Sequence, residues 1–216
     1  MKKNFILIIS ITNFISANGQ DLKKILDYFP TLPSKDTIID SGYLWNMLDT
    51  KKEIDTVLTL KYFFNGNVDE MHDIFEGYNA DENTYTYTPY TKNVYPIYKK
   101  KKNEYLYLLC YCLESVMYLT IYDYQNEKFE STFILIDDSD GVDIFISTIF
   151  PNDYIVTVQS IDKTYYILSK IDYESRKFIE LKKIEADSNQ SYYSIMNNAF
   201  ETLGISETGE LLEDKP

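Results

Sequence analysis

The sequence predicts an α+β protein in which N-terminal helical segments pack on one face of a large, curled antiparallel sheet of about seven or eight strands. Apolar residues recur at helical spacing in the first third of the chain. From residue 84 onward, β-branched and aromatic runs alternate with short turn clusters, a pattern typical of strands. Connections of about two to five residues favour antiparallel neighbours, so we expect a meander.

The N-terminus has the three-part layout of a secretory signal peptide. A basic start, Lys2 and Lys3, precedes an apolar run over residues 5–15 and a small, polar segment that ends at Gly19. The run is shorter than the roughly 20 apolar residues of a membrane-spanning helix; a buried N-terminal strand is the alternative. We expect export and cleavage near Gly19, which would leave a soluble periplasmic or secreted protein with one globular domain over residues 20–216.

The net charge of the chain indicates which classes of partner it can bind. The chain has 34 acidic and 21 basic side chains, a net charge of −13, and cleavage would remove two lysines and make it −15. Nucleic-acid binding is not expected, because phosphate contacts need a basic surface. The chain also contains 21 Tyr, a residue that is enriched in recognition surfaces.

The chain before residue 80 is predicted to be helix-rich. Two short helices are expected at 22–29 and near 43–48. Residues 54–64 fit both a helical stripe and a strand alternation. The capping-box spacing of Thr50 and Glu53 favours the helix.

The only histidine, His72, falls on a predicted helix over 68–76. The capping-box spacing of Asn67 and Glu70 marks the start of that helix. With Glu76 four residues further on, His72 has the helical spacing of a metal site. Its position beside the apolar stripe favours a histidine at the edge of the core instead, so no metal ligand is predicted.

An antiparallel sheet is predicted over residues 84–187. It begins with an alternating segment at 84–88. The strands that follow are expected near 94–98, 104–112, 115–124, 128–137, 142–149, 153–161, 164–173 and 177–184. The C-terminal segment, 188–216, has one predicted short helix at 192–200.

Two parts of the sheet region resemble each other. Residues 103–130 align without gaps with residues 152–179, and both contain Asp-Tyr-x3-Lys-Phe across a predicted hairpin turn. A repeated three-strand unit and a shared hairpin chemistry both explain the match.

The two cysteines lie two residues apart on one predicted strand. Side chains at that spacing share a face of the sheet, and their Cβ vectors run parallel, which opposes a disulfide. Cys110 and Cys112 are therefore expected to be free, buried thiols.

The sequence singles out no catalytic residue, metal ligand or cofactor, so an enzyme is not predicted; a hydrolase that uses a pair of acidic side chains is the weaker alternative. A Gly-x-Ser-x-Gly elbow and a Gly-x-Gly phosphate loop are both absent. Residues 138–143 have the composition of a calcium loop, but the glycine is misplaced and no Glu closes the loop. A hairpin turn is expected there.

Two groups of residues are candidate contacts for a ligand or partner. The first group consists of aromatic side chains near the start of the sheet: Tyr85, Tyr87, Tyr90 and Tyr95. Ordinary strand packing is their alternative role. The second is the one basic block of the chain: Lys99, Lys100, Lys101 and Lys102. These lysines form either a solvated turn or a contact patch for an acidic partner.

Two classes of function remain. The first is an exported bacterial protein that binds another protein, which the acidic charge would steer toward a basic partner. Such a chain resembles in type the immunity proteins that neutralise antibacterial toxins; the resemblance covers size, location and charge, and no motif carries it. The second class is a module that binds a glycan or small ligand through sheet aromatics. The oligomeric state is not predicted.

Overall fold

The computed structural model describes residues 22–34, 36–79, 84–137, 144–186 and 192–212. The predicted signal peptide and the loop at 138–143 lie outside these ranges. The helices are α1 Leu22–Tyr28, α2 Ser41–Met47, α3 Thr56–Phe63, α4 Val68–Met71 and α5 Tyr192–Leu203. The strands are β1 His72–Asn79, β2 Thr84–Thr91, β3 Val94–Lys101, β4 Leu106–Leu113, β5 Val116–Asp123, β6 Lys128–Asp137, β7 Ile144–Ile149, β8 Tyr154–Ser160, β9 Thr164–Asp172 and β10 Lys177–Glu185.

The predicted meander is confirmed. Strands β3 to β10 form one eight-stranded sheet in which each strand pairs with its neighbours in the chain. All the pairs are antiparallel, as the short turns between the strands require. A separate two-stranded sheet consists of β1 and β2. The α+β class with short helices on a curled sheet is therefore confirmed.

The sheet curls where β6 meets β7. Only two register pairs join these strands, Ile136 with Ile146 and Asp137 with Phe145. Side chains from both halves of the sheet then meet in one buried cluster, which we call the inner core. Its members include Leu108, Met117, Leu119, Leu135, Ile149, Ile155 and Ile171. The curl thus buries one face of the sheet against itself.

Both cysteines lie in the inner core as free, buried thiols, as predicted. Burial raises the pKa of Cys110 well above its ordinary value and also raises the pKa of Cys112. Cys110 and Cys112 therefore act as small apolar side chains.

The outer face of β4 and β5 carries α1 and α3. Ile25 of α1, Phe29 just after its end and Leu58 of α3 pack there against Leu109 and Tyr111. We call this second buried cluster the outer core. Aromatic rings make up much of it; the ring centroids of Phe63 and Tyr111, for example, are 4.8 Å apart. Much of the tyrosine content of the chain is therefore explained by packing.

The C-terminal helix covers the other end of the sheet. Ala199 and Leu203 of α5 pack against Val156 and Val158 of β8 and Leu168 of β9. The predicted helix at 192–200 is confirmed and continues to Leu203. The predicted helix within 54–64 is also confirmed as α3, but its N-cap is Asp55, whose Oδ1 accepts from the Val57 amide at 2.9 Å.

The predicted helix over 68–76 is wrong. The Asn67 cap exists, since its Oδ1 accepts from the amides of Asp69 and Glu70. The helix nevertheless ends at Met71, and the chain continues directly into β1. The reason is tertiary: β1 forms eight register pairs with β2, and this ladder satisfies more backbone groups than a helix continued over residues 72–76 would.

The internal match is closest at the hairpin turn. In both copies the Asp of Asp-Tyr-x3-Lys-Phe is the register partner of the Lys. The strands before the turns align in position, but their faces differ, because Leu119 faces the inner core whereas Leu168, at the same offset, faces α5. The shared hairpin chemistry therefore explains the match better than a repeated three-strand unit.

Candidate functional site

The most exposed regular element among the described residues is the two-stranded sheet of β1 and β2, which we call the ribbon. Every described side chain from Tyr85 to Tyr90 is exposed, as are those of Ile74 and Glu76. At its base the ribbon continues from α4, where the Lys92 amide donates to the Met71 carbonyl at 2.9 Å. The ribbon is thus an arm beside the main sheet.

One face of the ribbon is mainly apolar. Register partners in an antiparallel pair point to the same face. Ile74 is the partner of Pro89, and Glu76 is the partner of Tyr87. Tyr85 lies two residues from Tyr87 and therefore shares its face. We call Ile74, Tyr85, Tyr87 and Pro89 the aromatic face.

The aromatic face is unusually open to solvent. The exposed fraction is 60% for Ile74, 60% for Tyr85 and 64% for Tyr87. Adjoining apolar side chains of this exposure are typical of interaction surfaces. The Tyr87 hydroxyl also donates to Glu76 Oε1 at 3.1 Å, which places a carboxylate on the same face.

The opposite side of the ribbon is fixed to the β4–β5 turn by four residues, which we call the base cluster. Lys92 Nζ lies 3.2 Å from an oxygen of Asp73 and 3.3 Å from an oxygen of Glu114. The Tyr90 hydroxyl donates to Glu114 Oε1 at 2.6 Å. One cation therefore bridges the ribbon and the main sheet.

The base cluster changes the proton affinities of its members. The Ile74 amide and the Lys92 ammonium lower the pKa of Asp73. Burial lowers the pKa of Lys92, but the two carboxylates raise it more, so its pKa lies above the ordinary value. Bonding to Glu114 raises the pKa of Tyr90. The shifts of Asp73 and Lys92 favour their charged, ion-paired forms, and the shift of Tyr90 favours the protonated hydroxyl that donates to Glu114.

Replacing Lys92 with Met is expected to loosen the ribbon, because two carboxylates lose their shared cation. Amide hydrogen exchange in β1 and β2 should become roughly fivefold faster. Lys52→Met is the matched control, since the Lys52 side chain is 74% exposed and lies 3.7 Å from Asp49. Unchanged exchange in the Lys92 variant, or equal acceleration in the control, would show that the base cluster does not hold the ribbon.

The structure divides the four predicted tyrosines. Tyr85 and Tyr87 share the aromatic face, whereas Tyr90 points to the base cluster. Tyr95 lies on β3, half-buried against the inner core. Only two of the four therefore belong to one exposed surface.

Three of the four lysines lie on a strand rather than in the predicted turn, and Lys102 follows that strand. Lys99, Lys100 and Lys101 belong to β3 and pair in register with β4. Lys99 Nζ donates to the carbonyl of Leu26. The block is therefore largely part of the fold, because the strand continues further than the charge pattern indicated.

Two lysines of the block, Lys100 and Lys102, join the first half of the sheet to the turn before β8. Lys100 Nζ lies 3.3 Å and Lys102 Nζ lies 2.8 Å from oxygens of Asp153, in the turn before β8. Lys102 also lies over the Tyr173 ring at 4.3 Å, while Lys101 is exposed. These contacts make a patch for an acidic partner a poor interpretation of the block.

His72 is not at the edge of the core, contrary to the prediction. It is the first residue of β1, its side chain is exposed, and its Nδ1 lies 3.1 Å from Thr91 Oγ1. The error follows from the helix that was predicted to continue to residue 76.

Other features of the described residues suggest no alternative site. They contain no group of three or more His, Cys, Asp and Glu side chains that would hold a metal ion. A shallow cleft of about 300 Å³ separates α5 from the start of α2, with Asp40 and Glu207 among its lining residues. No helix in the described ranges is long and apolar enough to cross a membrane.

Comparison with known protein families, characterised proteins and solved structures finds no match to this chain. The functional assignment therefore depends on the chain's own geometry and charge.

Proposed function

We propose that the chain is an exported protein that binds a basic protein partner through the aromatic face of the ribbon. The observation that carries this proposal is the exposure of Tyr85, Tyr87 and Ile74 together on one face of an arm. Tyrosine provides large contact area at a low cost in conformational entropy. Burying these side chains in a complex would supply the apolar centre of an interface.

Charge supports a basic partner. Residues 72–91, which include the ribbon, contain four acidic side chains and no Lys or Arg. The net charge of the whole chain is −13, and it is −15 without Lys2 and Lys3. A field of this sign accelerates encounter with a positive protein surface.

The open shape of the ribbon favours a protein over a glycan or small ligand. A small-molecule site is usually a concave pocket that encloses most of its ligand. Tyr85 and Tyr87 instead lie on a two-stranded arm, and neither is among the residues that line the clefts near α2 and α1.

The specific form of the proposal is an immunity-type inhibitor. Such a protein forms a stoichiometric complex with a toxin and blocks it. Size, acidity and the export signal predicted from the sequence support this form.

The test is capture of the partner by the full chain, produced with a C-terminal tag in its source bacterium. We expect one basic protein in a 1:1 complex. The double variant Tyr85→Ser and Tyr87→Ser should bind it at least about 30-fold more weakly, the loss typical of hot-spot residues. Tyr105→Ser is the matched control, because Tyr105 is 49% exposed but lies outside the ribbon.

Recovery of no specific protein would refute the proposal. So would equal affinity of the double variant and the unmodified chain for the recovered protein. A glycan that binds only the unmodified chain would favour the ligand-binding alternative instead.

A further inference from the structure

We infer that the outer edge of β2 accepts an extended strand of the basic partner, which would add a third strand to the ribbon. This inference rests on the proposed function and names its mode of binding: backbone hydrogen bonds at the edge, beside the side-chain contacts of the aromatic face.

The edge of β2 is open, whereas other sheet edges of the molecule are covered or blunted. At β3, the Leu32 amide donates to the Lys99 carbonyl and the Ile54 amide donates to the Val94 carbonyl. Strand β10 has a bulge between Glu180 and Lys182 and three lysines, features that discourage pairing. Among the described residues, β2 pairs with β1 alone.

The sequence of β2 also suits strand pairing. Its eight residues, Thr-Tyr-Thr-Tyr-Thr-Pro-Tyr-Thr, include no charged side chain. Alternating Thr and Tyr have high strand propensity. Pro89 is the one residue of β2 that disfavours pairing with a further strand, since proline lacks an amide donor.

The direction of the backbone groups follows from the hydrogen bond at the ribbon base. The Lys92 amide donates to the Met71 carbonyl, and these residues continue the ribbon register by one step beyond His72 and Thr91. Hydrogen-bonded and non-hydrogen-bonded pairs alternate along an antiparallel ladder. The amide and carbonyl of Tyr87 therefore point away from β1.

Pro89 agrees with this assignment. It lies two residues after Tyr87, so its missing amide would also point outward. A proline there costs the ribbon no hydrogen bond, and its carbonyl still points outward as an acceptor.

The two edges of the ribbon differ. On β1, Ile74 occupies an outward-pointing position, because its partner is Pro89. The Ile74 amide is already bonded to Oδ1 of Asp73 at 2.8 Å. The carboxylate therefore blocks the β1 edge, which leaves β2 as the edge that accepts a strand.

The negative charge of the ribbon segment favours a basic strand over a second copy of this chain at the β2 edge. A second copy of the chain would bring another four acidic side chains against residues 72–91 and a like net charge. Such like charges oppose self-pairing. A strand with basic side chains would instead be attracted to the negative charge of this segment.

The first test uses amide hydrogen exchange of the full chain with a defined probe, an acetylated ten-residue peptide of alternating Lys and Val. We expect the peptide to slow exchange at the Tyr87 amide at least about tenfold, because that amide gains an acceptor. Thr88, whose amide points to Phe75 within the ribbon, should change little. Two N-methylated peptides, each blocked on one edge, are the controls, and only one should retain the effect.

The second test separates backbone from side chain at one position. Tyr87→Ala removes the ring, and Tyr87→Pro removes the ring and the outward amide; both lose the hydroxyl bond to Glu76 and keep every backbone hydrogen bond to β1. The Pro variant should bind the peptide about fivefold more weakly than the Ala variant, the effect of one lost hydrogen bond.

Three results would overturn the inference: no slowing of exchange at Tyr87 up to millimolar peptide, equal effects of both N-methylated peptides, or protection of Tyr87 that rises with protein concentration alone. The last would identify a second copy as the occupant. None of them depends on the serine double variant, so the proposed function can fail or hold independently.

Discussion

Replacing Asp123 with Ala is expected to lower the free energy of unfolding by about 2–3 kcal/mol, because a buried carboxylate that accepts several hydrogen bonds is lost. The Asp123 side chain is 0% exposed. Its carboxylate accepts from the amides of Gln125 and Asn126 at 2.8 and 3.0 Å. It also pairs with Arg176, which ties the β5–β6 turn to the β9–β10 turn. Alanine would leave all these donors without their acceptor.

The chain contains a matched control for this prediction. Asp172 occupies the equivalent position of the second Asp-Tyr-x3-Lys-Phe turn, where it accepts from the Glu174 and Ser175 amides. It is half-exposed, so water replaces its bonds when it is removed. Urea unfolding followed by the fluorescence of the single Trp should show a smaller loss for Asp172→Ala. Equal losses would mean that burial and Arg176 add nothing at Asp123.

The contribution of Asp123 to the stability of the fold is expected to depend on pH. Burial raises the pKa of Asp123, but bonds from Asn126 and Gln125 and the charge of Arg176 lower it more, so the net pKa lies below the ordinary value of 3.8. A depressed pKa in the folded state adds stability that is present above the ordinary pKa and is lost as the pH falls through the folded value. The stability gap between the unmodified chain and Asp123→Asn should therefore narrow below about pH 4.

The eight strands of the main sheet were predictable because their signals are local. Each strand alternates its side chains, and each turn carries residues that bend the chain or cap it. The Asp123 turn shows this: the Asp that marks it in sequence is the residue whose carboxylate accepts the turn amides. Burial of Cys110 and Cys112 was predictable for the same reason.

The ribbon was only half predictable, because its first strand depends on a distant partner. The cap at Asn67 is real, but nothing in residues 68–76 shows that a helix would end at Met71. That outcome is set by pairing with β2, whose strand pattern was recognised without its partner. Tyr85 and Tyr87 could therefore be nominated as contacts, but not as one face of an arm.

The prediction of an exposed turn at the lysine block was wrong for a related reason. Four consecutive charges indicate solvent exposure when they are considered alone. Asp153, about 50 residues away in sequence, binds Lys100 and Lys102. Only the curl of the sheet brings these groups together, and periodicity does not predict that curl.

Replacing Gly209 with Ala is expected to cost about 2–5 kcal/mol of unfolding free energy, from two sources. Its φ of +88° lies in the left-handed region, where a Cβ costs about 1–2 kcal/mol. That Cβ would also lie 2.5 Å from Cγ of Phe150, a ring that is 1% exposed and packs against Phe200 of α5. Overpacking of this kind costs about 1–3 kcal/mol.

Gly66→Ala isolates the first source, because Gly66 has a φ of +78° and nothing within 4 Å of its added Cβ. It should cost only the backbone share, about 1–2 kcal/mol. Phe150 cannot retreat freely, since it lies in the cluster that joins α5 to β8 and β9, and the Gly209 carbonyl is held by Asn152 Nδ2 at 2.6 Å. The larger loss should therefore coincide with faster amide exchange in α5. If the two alanine variants lose equal stability, the close approach to Phe150 does not constrain the C-terminal segment.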